Sequence, residues 1–414
     1  MQWLVFCAKI LICISIAYAN IQCSVSDKET ALVTALLVNL ERTVEANSPP
    51  DPSVLLALTL GSSIDTDAKI LLTQQLKEDL AMKVSQDLPF SSGRLALYTL
   101  ALRSSCCDPT KIPTAKGDIN LVYMLEEKTQ EEIASIENTQ SPLTTLYQVA
   151  LDVLALCVMS SPEAFQAAYT LSKVIPPNPS GHSFSVDTAA IGVMGFTCVL
   201  AMDGVPPQML KAMKMAHSTL LTLILSELKS DGVIGNIYTT GLAGQALTSA
   251  QSYYTPEYWN CPCTLQQVLQ QIPLGTFAQP GPASQVLPFL NGKNYVNVKD
   301  IQCSYNANPI TVEYTIVNNL VGDNFKSFIQ ISVNEGSTLL QVMAKAAEDN
   351  PKEFSFKTEE TSFGPFVTTI NHLSGSNNDK TFWQFFSGST PLNEGVGVYK
   401  PSNKEHILAI FSKY

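Results

Sequence analysis

From about residue 28 to 272, apolar positions recur at helical spacing in segments of ten to fifteen residues, separated by clusters of Pro, Gly, Asn and Ser. No strand pattern intervenes. Two kinds of segment alternate. Leu95 to Leu102 is apolar almost all round, and so is Val149 to Val158 apart from Asp152, which predicts helices enclosed on every side. Met209 to Leu228 instead carries Lys211, Lys214, His217 and Ser218 at helical spacing, as an outer helix would. The small-residue-rich stretches Leu95 to Leu102, Val149 to Leu156, Asp187 to Cys198 and Thr240 to Leu247 return at intervals of about 40 to 55 residues, the period of a repeated helical hairpin. Inner helices ringed by outer ones suggest an α/α barrel or toroid with a concave mouth where the inner helices end; solenoid and irregular packings are alternatives.

Between Pro273 and Asn308, Pro273, Gly275, Pro280, Gly281, Pro282 and Pro288 interrupt the period, so an ordered connector leading into a linker is expected. The period then becomes two. Ile310, Val312, Tyr314 and Ile316 alternate with polar residues, and Phe328 to Val333 forms a second strand. Ser337 can cap a helix running to about Glu348 that buries Leu339, Val342, Met343 and Ala346. Short strands are predicted at Phe366 to Ile370, Thr381 to Phe386, Gly395 to Tyr399 and Ile407 to Phe411. The expected fold class is thus multidomain, α then α+β. Its domains are an α/α barrel over 20–290, a linker over 291–308 and a small β-rich domain over 309–414.

Composition adds a compartment. Lys9 precedes the apolar run Ile10 to Ala17, too short for a membrane-spanning helix, and Ala17-Tyr18-Ala19 fits signal peptidase, so residues 1–19 read as a leader with cleavage after Ala19. A membrane anchor is the alternative. Hydrophobic residues make up 45% and charged residues 15%, which describes a well-buried globular chain. The net charge of −11 disfavours nucleic acid and anionic membrane surfaces. Past the leader stand Cys23, Cys106, Cys107, Cys157, Cys198, Cys261, Cys263 and Cys303. In a secreted chain they should be largely oxidised, and 105 pairings are formally open.

Catalytic signatures are missing: no G-x-S-x-G elbow, H-E-x-x-H helix, phosphate loop or EF-hand occurs. Asp231 to Asn236 lacks the repeated acidic ligands of a calcium turn. An enzyme acting on an isoprenoid or a carbohydrate, as some helical barrels do, is the rival reading, and it rests on architecture alone. A secreted adhesive protein is a third.

Four segments, in order along the chain, carry a resemblance: Ser185-Val-Asp-Thr188, Gly235-Asn-Ile-Tyr-Thr-Thr-Gly241, Gln285-Val-Leu-Pro288 and Trp383-Gln-Phe-Phe-Ser-Gly-Ser-Thr-Pro-Leu-Asn-Glu-Gly395. The chain resembles the cobalamin-transport family of intrinsic factor, transcobalamin and haptocorrin. The resemblance implies an α6/α6 barrel followed by a β domain, with cobalamin (vitamin B12) carried edge-on between them as cargo. It implies a secreted cobalt-transporting carrier rather than an enzyme, handed to a cell-surface receptor, inserted in no membrane and monomeric.

It further implies the disulfides Cys23–Cys261, Cys106–Cys303 and Cys157–Cys198, and leaves open whether Cys107 and Cys263 pair or stay free. From the helical domain it implies ligand contacts from Thr144, Tyr147, Gln148, Asp187, Asn236, Thr239 and Gln285. Asp187 could instead cap the helix beginning at Thr188. From the β domain it implies two runs of contacts: Ser362, Phe363, Gly364, Pro365, Phe366 and Val367, then Trp383, Gln384, Phe385, Phe386, Ser387, Gly388, Ser389, Thr390, Pro391 and Leu392. Without the resemblance, Trp383, Phe385 and Phe386 read as core. Two departures stand out. Phe184 occupies the position of the cobalt-binding histidine of some transcobalamins, with His182 a nearby substitute; and Arg94 stands where the inner helix is expected to carry a glutamine. No protein ligand to cobalt is therefore expected.

Overall fold

A computed structural model describes residues 23–46, 48–114, 117–176, 184–303, 309–361 and 364–414. The leader expected over 1–19, His182, Ser362 and Phe363 lie outside the described residues. The chain divides into two compact units. One comprises the residues up to Gly61 together with Thr73–Ile301, and the other Ser62–Leu72 together with Gln302–Tyr414.

The first unit contains twelve helices among its described residues: α1 (Thr30–Glu41), α2 (Pro52–Gly61), α3 (Asp67–Ser85, whose first turns count with the second unit), α4 (Ser92–Ser104), α5 (Leu121–Thr139), α6 (Leu146–Val158), α7 (Glu163–Val174), α8 (Val186–Leu200), α9 (Pro207–Ser226), α10 (Ile237–Ser249), α11 (Cys261–Gln271) and α12 (Pro280–Leu290). The even-numbered helices pack on one another in succession, α2 on α4, α4 on α6, α6 on α8, α8 on α10 and α10 on α12, and α12 packs on α2. These are the helices without a polar side. Every residue of α6 from Val149 to Val158 is buried, as is α8 from Ala189 to Phe196. Odd-numbered α1, α5, α7, α9 and α11 pack outside them. The disulfide Cys157–Cys198 joins α6 to α8 and Cys23–Cys261 ties the first described residue to α11, as the resemblance implied. Cys106, Cys263 and Cys303 are each disulfide-bonded as well, whereas Cys107 is free.

Three expectations change here. α12 forms where the prolines suggested a connector. Pro280 and Pro282 sit in its first turn, where a missing N–H costs nothing, and burial of Ala283, Val286, Leu287, Phe289 and Leu290 holds the rest despite Pro288. Within the stretch read as linker, Tyr295–Asp300 forms a 3-10 helix that buries Tyr295, Val296 and Val298 and packs on α2, α4, α6 and α8. His217 also turns inward. Lys211, Lys214 and Ser218 are exposed as expected on α9, but His217 is 2% exposed, with Nε2 3.0 Å from the Thr197 hydroxyl and its ring edge-on to Tyr253.

The second unit carries a five-stranded sheet of order β2-β1-β8-β6-β7, formed by β1 (Pro309–Asn318), β2 (Phe325–Asn334), β6 (Thr381–Ser387), β7 (Thr390–Pro391) and β8 (His406–Lys413). β1 runs parallel to β8 and antiparallel to β2. A smaller sheet holds β3 (Phe356–Thr361), β4 (Gly364–Ile370) and β5 (Leu373–Ser374). Helix α13 (Leu339–Asp349) closes the core with Leu339, Leu340, Val342 and Met343. Its cap is Thr338 rather than Ser337, in a reciprocal pair with Gln341. Gly395 to Tyr399 is a turn, not a strand, because its carbonyls are used elsewhere: Val396 and Tyr399 accept from Leu340 and Leu339 at the head of α13.

Ser62–Leu72, expected inside the helical domain, belongs to this unit. Asp65 donates its backbone N–H to the Gly397 carbonyl and accepts from Thr338, Asp67 accepts from Thr358, and Ile70 packs against the core.

Candidate functional site

The starts of the inner helices lie side by side, and each adjacency is visible in a specific contact. Arg94, in the first turn of α4, donates to the Pro50 carbonyl just ahead of α2 at 3.1 Å. Gly93 donates its N–H to Gln148 Oε1 on α6 at 3.3 Å, an approach so close that any Cβ at Gly93 would stand 2.5 Å from the Gln148 side chain. Asp187 on α8 acts electrostatically on Tyr147 of α6. Val186 of α8 lies against Gly235, just ahead of α10. The positive ends of several helix dipoles therefore gather on one side of these packed helices, a setting that favours carbonyl, phosphate and other electron-rich edges of a ligand.

On this side, polar groups are buried without protein partners. Thr144 Oγ1 and Asp187 Oδ1 are both inaccessible and unbonded. Leaving such groups unmet costs roughly 1–3 kcal/mol each, a cost a bound molecule can remove. Asp187 does not cap its helix. Ser185 does, accepting from the Thr188 N–H, so the capping alternative fails and the aspartate is left over. Burial raises the Asp187 carboxyl above the usual carboxylate range, and burial followed by the Asp187 charge pushes the Tyr147 phenol up to about 12. Gln148 spends its carbonyl on Gly93 and keeps its amide N–H groups.

Further round, Asn236 caps α10 through Oδ1, accepting from Tyr238 and Thr239, which leaves its Nδ2 donors over. Thr239 completes that cap and also donates to Ile234 and Asn236 carbonyls, so its hydroxyl shapes the turn first. Gln285 lies partway along α12. Its backbone carbonyl is held by the Gln245 amide at 2.8 Å, where Gly241 lets α10 approach α12 within 3 Å of a notional Cβ. The Gln245 side-chain oxygen, fully buried, is a further unpartnered acceptor absent from the sequence-based expectations. Phe184 is 5% exposed. Arg94 spends its guanidinium on Pro50 and Tyr98.

In the second unit, Gly364, Pro365 and Val367 are buried while Phe366 stands 47% exposed on β4. Trp383 is 3% exposed, tilts against Phe411 at 5.1 Å and donates Nε1 to the Leu373 carbonyl, as the reading of this residue as core expects. Phe385, on the same side of β6, packs on that core too. Gln384, Phe386 and Ser387 are half-buried, Gly388, Ser389, Thr390 and Pro391 are exposed, and Leu392 is packed partly against the core. Among the described residues no group of His, Cys, Asp and Glu could hold a metal ion, and no helix is long and apolar enough to cross a membrane.

Residues 4–318 match the family described as eukaryotic cobalamin-binding protein. The chain belongs to that family. Residues 336–413 match a domain of unknown function. Cobalamin binding intrinsic factor of Canis lupus familiaris is 35% identical, with 96% of this chain and 95% of that protein covered. Transcobalamin-1 of Homo sapiens is 37% identical over 95% and 94%. Transcobalamin-2 of Homo sapiens is 31% identical over 77% and 75%. Among solved structures, haptocorrin in complex with Cbi matches at a TM-score of 0.57 and 33% identity, covering 95% of this chain and 99% of that one. A cobalamin-binding family member needs a broad site with many neutral donors and acceptors, and the unmet groups at the inner-helix starts fit that need.

Proposed function

We propose that this chain is a cobalamin carrier: it binds the corrinoid as cargo and transports it, and performs no chemistry on it. The observation that carries the reading is the pair of buried, unpartnered oxygens of Thr144 and Asp187, set among the starts of the inner helices. A corrin rim bears amide side chains that can donate to Asp187 and exchange hydrogen bonds with Thr144, Gln148, Asn236 and Gln285. The even-numbered helices packing in succession, with α12 on α2, support an α6/α6 barrel whose mouth is this site. The division proposed is an α/α barrel over 20–290, less Ser62–Leu72, which packs with the C-terminal unit, a connecting segment over 291–308 and a β-rich domain over 309–414. From the latter, Phe366 and the segment Gln384 to Leu392 contribute ligand contacts, so that binding draws on both units and release is slow.

Secretion, monomeric state and receptor-mediated uptake complete the proposal. The oxidised cysteines and the leader-like start support secretion. Purified protein supplied with cyanocobalamin should retain one red equivalent through gel filtration and contract in small-angle scattering. Folded protein that retains none, over the concentration range where carriers saturate, would overturn the carrier and revive the barrel-enzyme reading.

A further inference from the structure

Glu132 lies on the outer helix α5, yet it is 2% exposed. Burying a carboxylate costs several kcal/mol unless hydrogen bonds repay it. Here they come from the two neighbours that matter to the site. Oε2 accepts from the backbone N–H of Leu143 at 2.7 Å and of Thr144 at 3.3 Å. Oε1 accepts from the Ser92 hydroxyl at 3.3 Å. Ser92 opens α4 and precedes Gly93, whose N–H holds Gln148. One buried carboxylate thus ties the loop carrying Thr144 to the helix start that orients Gln148.

The loop needs such a tie. It leaves α5 through Gln140 in the left-handed region, at φ 60°, and Leu143 is 63% exposed, so few apolar contacts hold its far end. At its near end the Ser135 and Thr139 hydroxyls both donate to the Ser141 carbonyl. Between that point and the Thr145 cap of α6, the bonds to Glu132 are what fix the backbone on which Thr144 stands. Asp152, buried beside the same serine, is raised well above the usual carboxylate range by burial, with a hydrogen bond from Ser92 opposing the effect and Glu132 adding to it.

We propose that Glu132 is a positioning residue for the corrinoid site, holding Thr144 and Gln148 in binding geometry without itself touching the ligand. The inference rests on the reading that Thr144 and Gln148 contact the cargo. A preorganised loop lowers the ordering cost of binding, so its loss shows mainly as faster release.

The test is cyanocobalamin dissociation from the full-length protein, chased with excess unlabelled cyanocobalamin, beside the melting temperature of the ligand-free form. Glu132→Ala should speed release about tenfold while the protein is still folded, and Glu132→Gln, which keeps an acceptor for the loop, should stay within about threefold of wild type. Thr144→Val serves as control. If Thr144→Val speeds release and Glu132→Ala lowers only the melting temperature, the positioning role is overturned and the site stands. If Thr144→Val changes nothing, the site reading fails instead, and the inference with it. Should Glu132→Ala not fold, Leu143→Pro decides, since it deletes the shorter N–H bond at an exposed residue: faster release supports the role, and an unchanged rate overturns it.

Discussion

Thr358 donates a hydrogen bond to the Asp67 carboxylate across 291 positions of sequence, at the point where the first turn of α3 packs into the C-terminal unit. Burial raises Asp67 to about 6. A carboxyl raised in the folded state binds its proton more tightly than in the unfolded chain, so it favours folding below pH 3.8 and that benefit is lost as pH rises through 6. Asp67→Asn keeps an acceptor for Thr358 and removes the ionisation. The variant should gain on wild type by about 1–2 kcal/mol between pH 4 and 7 in denaturant melts. Parallel stability profiles would refute this.

His217 acts with the opposite sign. Burial lowers it to about 4, against an ordinary value of 6.5, so the unfolded chain takes up a proton the folded one refuses. Stability present above pH 6.5 should therefore drain away as pH falls to 4, by about 2–3 kcal/mol. His217→Gln should flatten that limb of the curve, measured as melting temperature against pH. An equally steep limb would assign the acid loss to other groups.

Asp187 separates binding from folding. Its Oδ1 has no partner and its carboxyl is raised by burial, so Asp187→Ala should leave the ligand-free melting temperature unchanged or higher. Loss of an acceptor for corrin amides should weaken cobalamin binding about 10- to 100-fold, as expected for a hydrogen bond to a charged group. Competition binding against wild type reads this out, and equal affinity would remove Asp187 from the site.

Trp383 and Phe366 should divide the same way in the C-terminal unit. Trp383→Ala opens a cavity beside Phe411 and should cost about 3–5 kcal/mol of stability. Phe366→Ala, at an exposed position, should change stability by about 0.5 kcal/mol or less while speeding cobalamin release several-fold. If Phe366→Ala leaves release unchanged, the C-terminal contact run has been placed on the wrong strand.

Residues with one-dimensional consequences were legible in the sequence. The all-apolar runs from Leu95 and Val149 named two inner helices, and the alternation from Ile310 named β1, because burial on every side or on one face writes itself directly into periodicity. α12 escaped because proline statistics argue against a helix that tertiary burial then enforces. For Trp383 the sequence offered both core and ligand contact, because a motif tells which residues travel together and not which face of β6 each takes; parity with Phe385 puts both on the packed face. Glu132 was invisible for a simpler reason: on an amphipathic helix rich in glutamates, nothing local distinguishes the one that turns in.

The membership of Ser62–Leu72 in the C-terminal unit bears on how the chain is made. The ribosome delivers this segment early, and the strands it belongs with are finished only when the last residues, through β8 at His406–Lys413, have been synthesised. Until then Ile70 has no core to join and Asp65 no partner in Thr338. The growing polypeptide therefore carries this segment without its packing partners until the C-terminal strands have been made, so Ile70 stays unburied for most of synthesis.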